Sequence, residues 1–323
     1  MHLRILHRTT FTYAGNAHDS FNETRLRPVR DPTQYCHDFK LAITPPAEPR
    51  AYDDFHGNTV HYFEVIPPHP KLVIEAVSTV TTVPNADRPP VPRVPSADLE
   101  RSTEREMLAE FYSSSHYVPL EVEMWREAQD ALAEGRGDVW GDVRRLGSHI
   151  YRRFAYRPNT TGVSTRATDA LKLRMGVCQD FAHVHLGLCR SMGIPARYVS
   201  GYFFNNTRRP REIEASHAWI EAWIPGHGWA AFDPTHDRPA DDRYVKVAVG
   251  RDYADIRPVN GTYRGSPTRS LKVLVNVREA PQPKAEKPKR ATLHVSSGSS
   301  TPAVDAPEVA AALVVPSLTR RAK

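Results

Sequence analysis

Two different residue periods occupy separate blocks of this chain, and their order limits the folds open to it. Up to residue 83 apolar positions alternate, in "LRILHRTTFTY" (3–13), "FKLAITP" (39–45), "NTVHYFEVI" (58–66) and "KLVIEAVSTVTTV" (71–83). Alternation with β-branched and aromatic residues predicts strands. Turn clusters such as "RPVRDPTQ" and "DDFHGN" separate them. From about 99 to 154 the spacing becomes three and four, in "EVEMWREAQDALAE" and "DVWGDVRRLGSHIYRRFAY", which predicts amphipathic helices. A short helical turn is expected around Asp169–Leu173, and a longer helix opens at Val177 or Cys178 and stops at Gly193, with Pro195 just beyond. Period two then returns in "ARYVSGYFF", "HAWIEAWI", "GWAAFDP", "RYVKVAV" and "LKVLVNV". Strands, then helices, then a mainly antiparallel sheet is an α+β order.

The proline-rich "PNADRPPVPRVPSAD" lies between the first two blocks and reads as a connector. The expected organisation is a small antiparallel β-sandwich-like domain at 1–84, a connector at 85–98 and a helix-and-sheet domain at 99–279. Residues 280–323, rich in Pro, Ala, Ser and Lys without a period, are expected to be a disordered basic tail.

The net charge of +6 belongs largely to that tail, which holds seven Lys and Arg against three Asp and Glu. The body shows no basic stripe interleaved with aromatics, so no nucleic-acid partner is expected. No apolar run approaches the ~20 residues that cross a bilayer. The N-terminus lacks the apolar run and small-residue cleavage site of a signal peptide, so no membrane partner is expected. The three cysteines are Cys36, Cys178 and Cys189. The last two share the predicted helix at a separation of roughly 16 Å, too far to bridge. A reducing cytoplasm is the expected compartment. The oligomeric state is not legible.

Cys178 stands in "GVCQD", just after Gly176, at the predicted first turn of that helix. Helix N-terminal N–H groups and the macrodipole favour a thiolate there, and the same N–H groups can hold an oxyanion. Asp180, two residues on, opposes this unless it turns away to cap the helix. Taken alone, the position fits a structural thiol as well as a nucleophile.

A nucleophilic thiol needs a base, and the base an orienting group. In "HAWIEAWI" alternation puts His217, Trp219, Glu221 and Trp223 on one face, with Ala218, Ile220, Ala222 and Ile224 on the other. "PGHG" turns the chain, and Trp229, Ala231 and Asp233 share a face of the returning strand. If Ile224 pairs with Trp229, Asp233 points away from His217. If Trp223 pairs with Trp229, Asp233 becomes a diagonal neighbour on the His217 face. A catalytic role for both therefore requires the second register or a bulge; a surface histidine and a turn-starting Asp before Pro234 is the other reading.

These residues also carry a resemblance. "GVCQDFAHVHLGLCRSMGIPARYVSGY" followed by "HAWIEAWIPGHGWAAFDPT" resembles the catalytic core of the transglutaminase-like superfamily. "RILHRTTFTYAGNAHDSFNETRLRPV" with "DDFHGNTVHYFEV" is similar to the N-terminal β region of its bacterial members, and "VKVAVGRDYADIRPVNGTYRG" to the stretch after their Asp. The likeness covers roughly residues 1–278. It implies a papain-like, transglutaminase-like catalytic domain over 99–279. It also implies a Cys–His–Asp triad, with Cys178 as nucleophile, His217 as general base and later acid, and Asp233 fixing the imidazole. The expected enzyme acts on peptide, isopeptide or glutamine side-chain amides of a protein or peptide substrate through a thioester. Hydrolysis is favoured over transfer because nothing in the chain specifies an acyl-acceptor site. A protein-glutamine acyltransferase is the alternative, and a non-enzymatic binding protein that keeps the fold is another. Trp219, Trp223 and Trp229 are candidate linings of the substrate channel, with two-sheet packing as the competing role.

No cofactor or metal is expected. His183 and His185, two apart on a helix, point about 200° from each other and cannot share an ion. "DDFHGN" offers too few oxygens for calcium. Cys189 reads as a small packed hydrophobe, and Glu221 as a surface charge.

Overall fold

The computed structural model describes residues 1–101, 103–205, 216–265 and 269–281. The first block forms β1 (His2–Thr24), β2 (Gln34–Thr44), β3 (Arg50–Asp53), β4 (Thr59–Val65) and β5 (His69–Thr82). The helical block supplies α1 (Val122–Ala131), α2 (Val139–Arg153) and, after the two-residue β6 (Ala155–Tyr156), α3 (Ala167–Leu173). Next come β7 (Met175–Gly176), α4 (Cys178–Ser191), β8 (Ala196–Phe203), β9 (His217–Ile224), β10 (Gly228–Asp233), β11 (Arg238–Pro239), β12 (Tyr244–Gly250), β13 (Val259–Gly265) and β14 (Arg269–Glu279).

β1 is the axis of the first sheet. Along one edge β4 and β5 run antiparallel to it, and β2 and β3 extend that side. β13 and β14 fill its other edge, from Thr24↔Val259 to Leu3↔Glu279. Pairing with β5 skips between Thr12 and Ala17, where the strand bends and the sheet curls. Tyr13, Ile43, Phe63, Leu72 and Ile74 close one end of its apolar face. Leu3, Ile5, Val80, Val275 and Val277 at the other end share a core with Tyr202, Phe204, Val245 and Val247 of the second sheet.

This corrects the expected boundaries. Residues 259–279 complete the first sheet instead of belonging to the catalytic layer, and Met1–Gln282 is one compact unit. A period-two pattern shows that a segment is a strand but not which distant strand it pairs with. The 85–98 segment is not a loose connector either: Val139 N–H donates to Val94 O, Ser96 N–H to Gly137 O, and Leu99 is buried in the helical core. Among the described residues between 99 and 121 the helical structure is confined to short 3₁₀ turns, and α-helix begins at Val122. The expected tail at 280–323 lies outside the described residues except for Ala280 and Pro281; Ala280 N–H bonds His2 O.

The second sheet has the order β11-β10-β9-β8-β12, antiparallel throughout. α4 packs against it, flanked by α1, α2 and α3, and every residue from Asp180 to Arg190 is buried. The outer edge of β12 would leave backbone groups exposed in the core. The first sheet's connections supply their partners: the Asn58 side chain accepts from Val249 N (2.7 Å) and donates to Val249 O (2.8 Å), while Gln34 does the same for Lys246 (2.7 Å each). At the last turn of α4, buried Arg190 donates to the carbonyls of Ser113, Ala196 and Arg251, fastening three loops. No helix among the described residues is long and apolar enough to cross a membrane.

Candidate active site

The short parallel pair β6–β7 delivers the chain to α4, with Tyr156 opposite Gly176. Val177 is the N-cap residue in extended conformation, and Cys178 is the first helical residue. Asp180 does turn away to cap: its Oδ2 accepts from Val177 N–H (2.8 Å) and from the Thr161 hydroxyl (2.7 Å). This explains Gly176, since a Cβ there would lie 2.5 Å from Asp180 Oδ2. Gln179 Nε2 bonds Val163 O (3.2 Å), so the 157–165 loop is laced to the start of the helix.

The β9–β10 hairpin adopts the register that brings its face residues together, with Trp229 opposite Trp223 and Phe232 opposite Ile220. Asp233 ends β10 on the His217 side, and Asp233 Oδ2 accepts from His217 Nε2 at 2.7 Å. The Cys178 thiol is near enough to the same imidazole to help raise its pKa. Cys178, His217 and Asp233 thus meet from three different elements: a helix start, a strand start and a strand end.

Burial works against a charge on His217. The Asp233 carboxylate and the Cys178 thiol outweigh it and raise the imidazole to about 10, so it is cationic at neutral pH. Asp233 is fully buried; burial would raise its pKa, but His217 and then His236 hold it well below the usual carboxylate range. Its Oδ2 also accepts from Tyr244 OH (2.7 Å) and His236 Nδ1 (2.6 Å), while Oδ1 accepts from Thr235 N–H (2.7 Å). The ligand-type atoms of His217, Asp233 and His236 lie within 4.8 Å of one another. The carboxylate-to-ring separations of 2.6 and 2.7 Å are hydrogen-bond distances, shorter than the roughly 3.3 Å between ligands of one tetrahedral ion.

The three tryptophans do not line this centre together. Trp219 is buried, stacks 6.1 Å from His217 at 28°, and packs with Val199, Ala240 and Tyr244. Gly201 makes room for it: a Cβ there would lie 2.5 Å from the indole and 2.1 Å from Val245 O. Trp223 sits six residues beyond His217 along β9, roughly 20 Å away at strand rise. It donates to Glu104 (2.7 Å) and meets Trp229 edge to face at 5.3 Å, with Phe111 and Arg197 also on Trp229. Alternation assigns a side of the strand, not a position along it, so sharing the His217 face does not by itself bring Trp223 and Trp229 to the thiol. Glu221 is not a surface charge; it is buried and ion-paired with Lys246 and, at 2.7 Å, with Arg197.

His183 and His185 are both buried on α4. His183 stacks on Tyr117 at 5.3 Å and His185 Nε2 bonds Val143 O at 2.9 Å, so neither points at a common ion. Cys36, Cys178 and Cys189 are free thiols, and burial raises the pKa of Cys36 and Cys189. Sequence reasoning missed three residues at the site. Tyr156, half exposed, stands across from Gly176; burial first, then the nearby Cys178, raises its phenol to about 12. His236 follows Asp233 in "DPTH", where an Asp gripping the N–H groups two and three residues on is a familiar turn signal. Tyr244 carried no signal, because its approach depends on the strand order.

Residues 126–234 match the family described as Transglutaminase-like superfamily, and residues 3–81 match the Bacterial transglutaminase-like N-terminal region. An uncharacterized protein of Mycobacterium leprae is 34% identical over 280 residues, covering 85% of this chain and 98% of that one. A protein-glutamine gamma-glutamyltransferase of Pseudomonas aeruginosa is 35% identical over 119 residues, 33% of this chain and 18% of that protein. The crystal structure of a putative cysteine protease from Cytophaga hutchinsonii is similar with a TM-score of 0.70 and 25% identity, covering 88% of this chain and 92% of that one.

Proposed function

The chain belongs to the transglutaminase-like superfamily, and from that premise we propose that it is a thiol enzyme that opens amide bonds of a protein or peptide through a Cys178 thioester, with water as the acceptor. The observation that carries this reading is the Cys178–His217–Asp233 constellation, with its imidazole held cationic next to the thiol. Cys178 Sγ attacks the carbonyl carbon, and the oxyanion is met by the Cys178 backbone N–H at the helix start and by the Tyr156 hydroxyl. His217 gives its proton to the leaving amine, and the C–N bond breaks to leave the thioester. His217, now neutral, takes a proton from water, which attacks the thioester and restores the thiolate–imidazolium pair. Asp233 keeps the ring oriented and offsets its charge throughout.

The Cytophaga hutchinsonii protein, named as a putative cysteine protease and alike over most of both chains, supports the hydrolytic outcome. The Pseudomonas aeruginosa relative supports the second reading, in which a lysine amine resolves the thioester and a cross-link forms. A glutamine-containing protein incubated with and without a labelled primary amine separates the two. Hydrolysis predicts ammonia or new termini with no label taken up, and no reaction from Cys178→Ala. Amine incorporation would establish transfer instead, and no reaction across a panel of amide and ester substrates would contradict both.

A further inference from the structure

Asp233 holds more partners than a three-residue relay requires. Backbone N–H groups of the 234–237 turn grip Oδ1, from Thr235 at 2.7 Å and His236 at 3.4 Å. Oδ2 receives His217 Nε2, Tyr244 OH and His236 Nδ1 at 2.6–2.7 Å. The turn that fixes Oδ1 is the one that swings the His236 ring back onto Oδ2.

We propose that His236 is a positioning residue for the triad: it bonds Asp233 Oδ2 beside His217 and so holds the carboxylate that orients the His217 ring. The inference rests on the thiol-enzyme reading of the same site. The two rings are 5.2 Å apart, so a charge on one is felt by the other. His236 is 38% exposed, whereas His217 is 10% exposed. His236 commits its Nδ1 to Asp233. The groups facing it are few. Phe203 covers one side at 4.8 Å, Tyr244 shares the carboxylate, and Arg238 lies over Phe203 and bonds Tyr244 OH. Arg243, also over Phe203, is neutralised by Asp241, and Asp237 is turned to Ser148. Asp233 is therefore the only carboxylate bonded to the His236 ring among the described residues.

His236 and His217 bond the same oxygen, Asp233 Oδ2, so the place of the carboxylate under His217 depends on both rings. Losing the His236 bond frees one side of Asp233 and with it the orientation of the His217 ring. Reactivity at Cys178 thus depends on how His236 holds Asp233.

The pH dependence of iodoacetamide alkylation of Cys178, read by peptide mass spectrometry in the full-length protein, tests this. The wild type is expected to react at Cys178 faster than either His236 variant at every pH. His236→Asn keeps a donor at the Nδ1 position and is expected to fall less in plateau rate than His236→Ala. The latter removes a hydrogen bond to a carboxylate and is expected to fall about tenfold. Profiles of both variants that superimpose on the wild type would overturn the role of His236 while leaving an activated Cys178 intact. A wild-type Cys178 that reacts no faster than Cys36 would overturn the thiol-enzyme reading and this inference with it.

Discussion

At the scale of single residues, the site depends on how α4 is started. Asp180 could be read from the sequence as a threat to the thiolate or as a cap, and it is the cap, bonding Val177 N–H and Thr161. Asp180→Ala is expected to lower stability by about 1–2 kcal/mol, because the partly buried Val177 N–H and the Thr161 hydroxyl lose their acceptor. Because the 157–165 loop would also be released, Cys178 alkylation should slow; urea titration and alkylation kinetics on one preparation check the two effects. That His217 and Asp233 would meet was legible because they lie in one compact motif and one register decides their meeting. Trp223↔Trp229 is the pairing the catalytic reading required, and it is the one found. His236 and Tyr244 were not read from the sequence. One sits in a turn that looks sufficient as a turn, and the other crosses from β12, whose place in the sheet no local pattern fixes.

At the scale of elements, the two sheets hold each other through a few side-chain amides. Asn58, in the turn after β3, completes the β12 edge at Val249 with two hydrogen bonds, and that turn is itself tied by Asp54 to Arg25. Asn58→Ala would leave a buried N–H and C=O unpaired, each worth about 1–3 kcal/mol. A drop of roughly 2–5 kcal/mol in unfolding free energy is expected. A change within ~0.5 kcal/mol, the range of ordinary surface substitutions, would show that the contact is incidental. The same element scale shows where pattern reading ends. β14 was recognised as a strand and β13 was not, and the partner of both is β1, more than two hundred residues away in the chain. Alternation gives the faces, and loop closure over such a distance leaves no local trace.

For the whole molecule, buried neutral histidines make acid the weak side of the fold. Burial holds His7 and His185 at about 4 and pushes His183 well down. Their unfolded value is about 6.5, so the unfolded chain binds more protons as pH falls through that value, and stability drops by up to ~1.4 kcal/mol per pH unit for each histidine. His217 has the opposite sign: its raised value makes its contribution complete below about 6.5 and lost only as pH rises towards 10. Urea midpoints measured from pH 7.5 to 4.5 are therefore expected to fall below pH 6.5, and less steeply in His185→Gln. The two-part sequence, strands and then helices plus strands, was legible at this scale. The single body into which Met1–Gln282 folds was not, since a proline-rich stretch packed against Gly137 and Val139 reads locally like any connector. The claim on which the functional proposal stands is that Cys178 alone among three thiols is paired with a charged imidazole. The most direct measurement is the alkylation rate of Cys36, Cys178 and Cys189 at pH 6 in the native protein and in His217→Ala. Cys178 is predicted to react at least a hundredfold faster than either of the other two, whose pKa values desolvation raises, and to lose that advantage in His217→Ala. Equal rates at Cys178 and Cys36, or a Cys178 rate indifferent to His217, would contradict it.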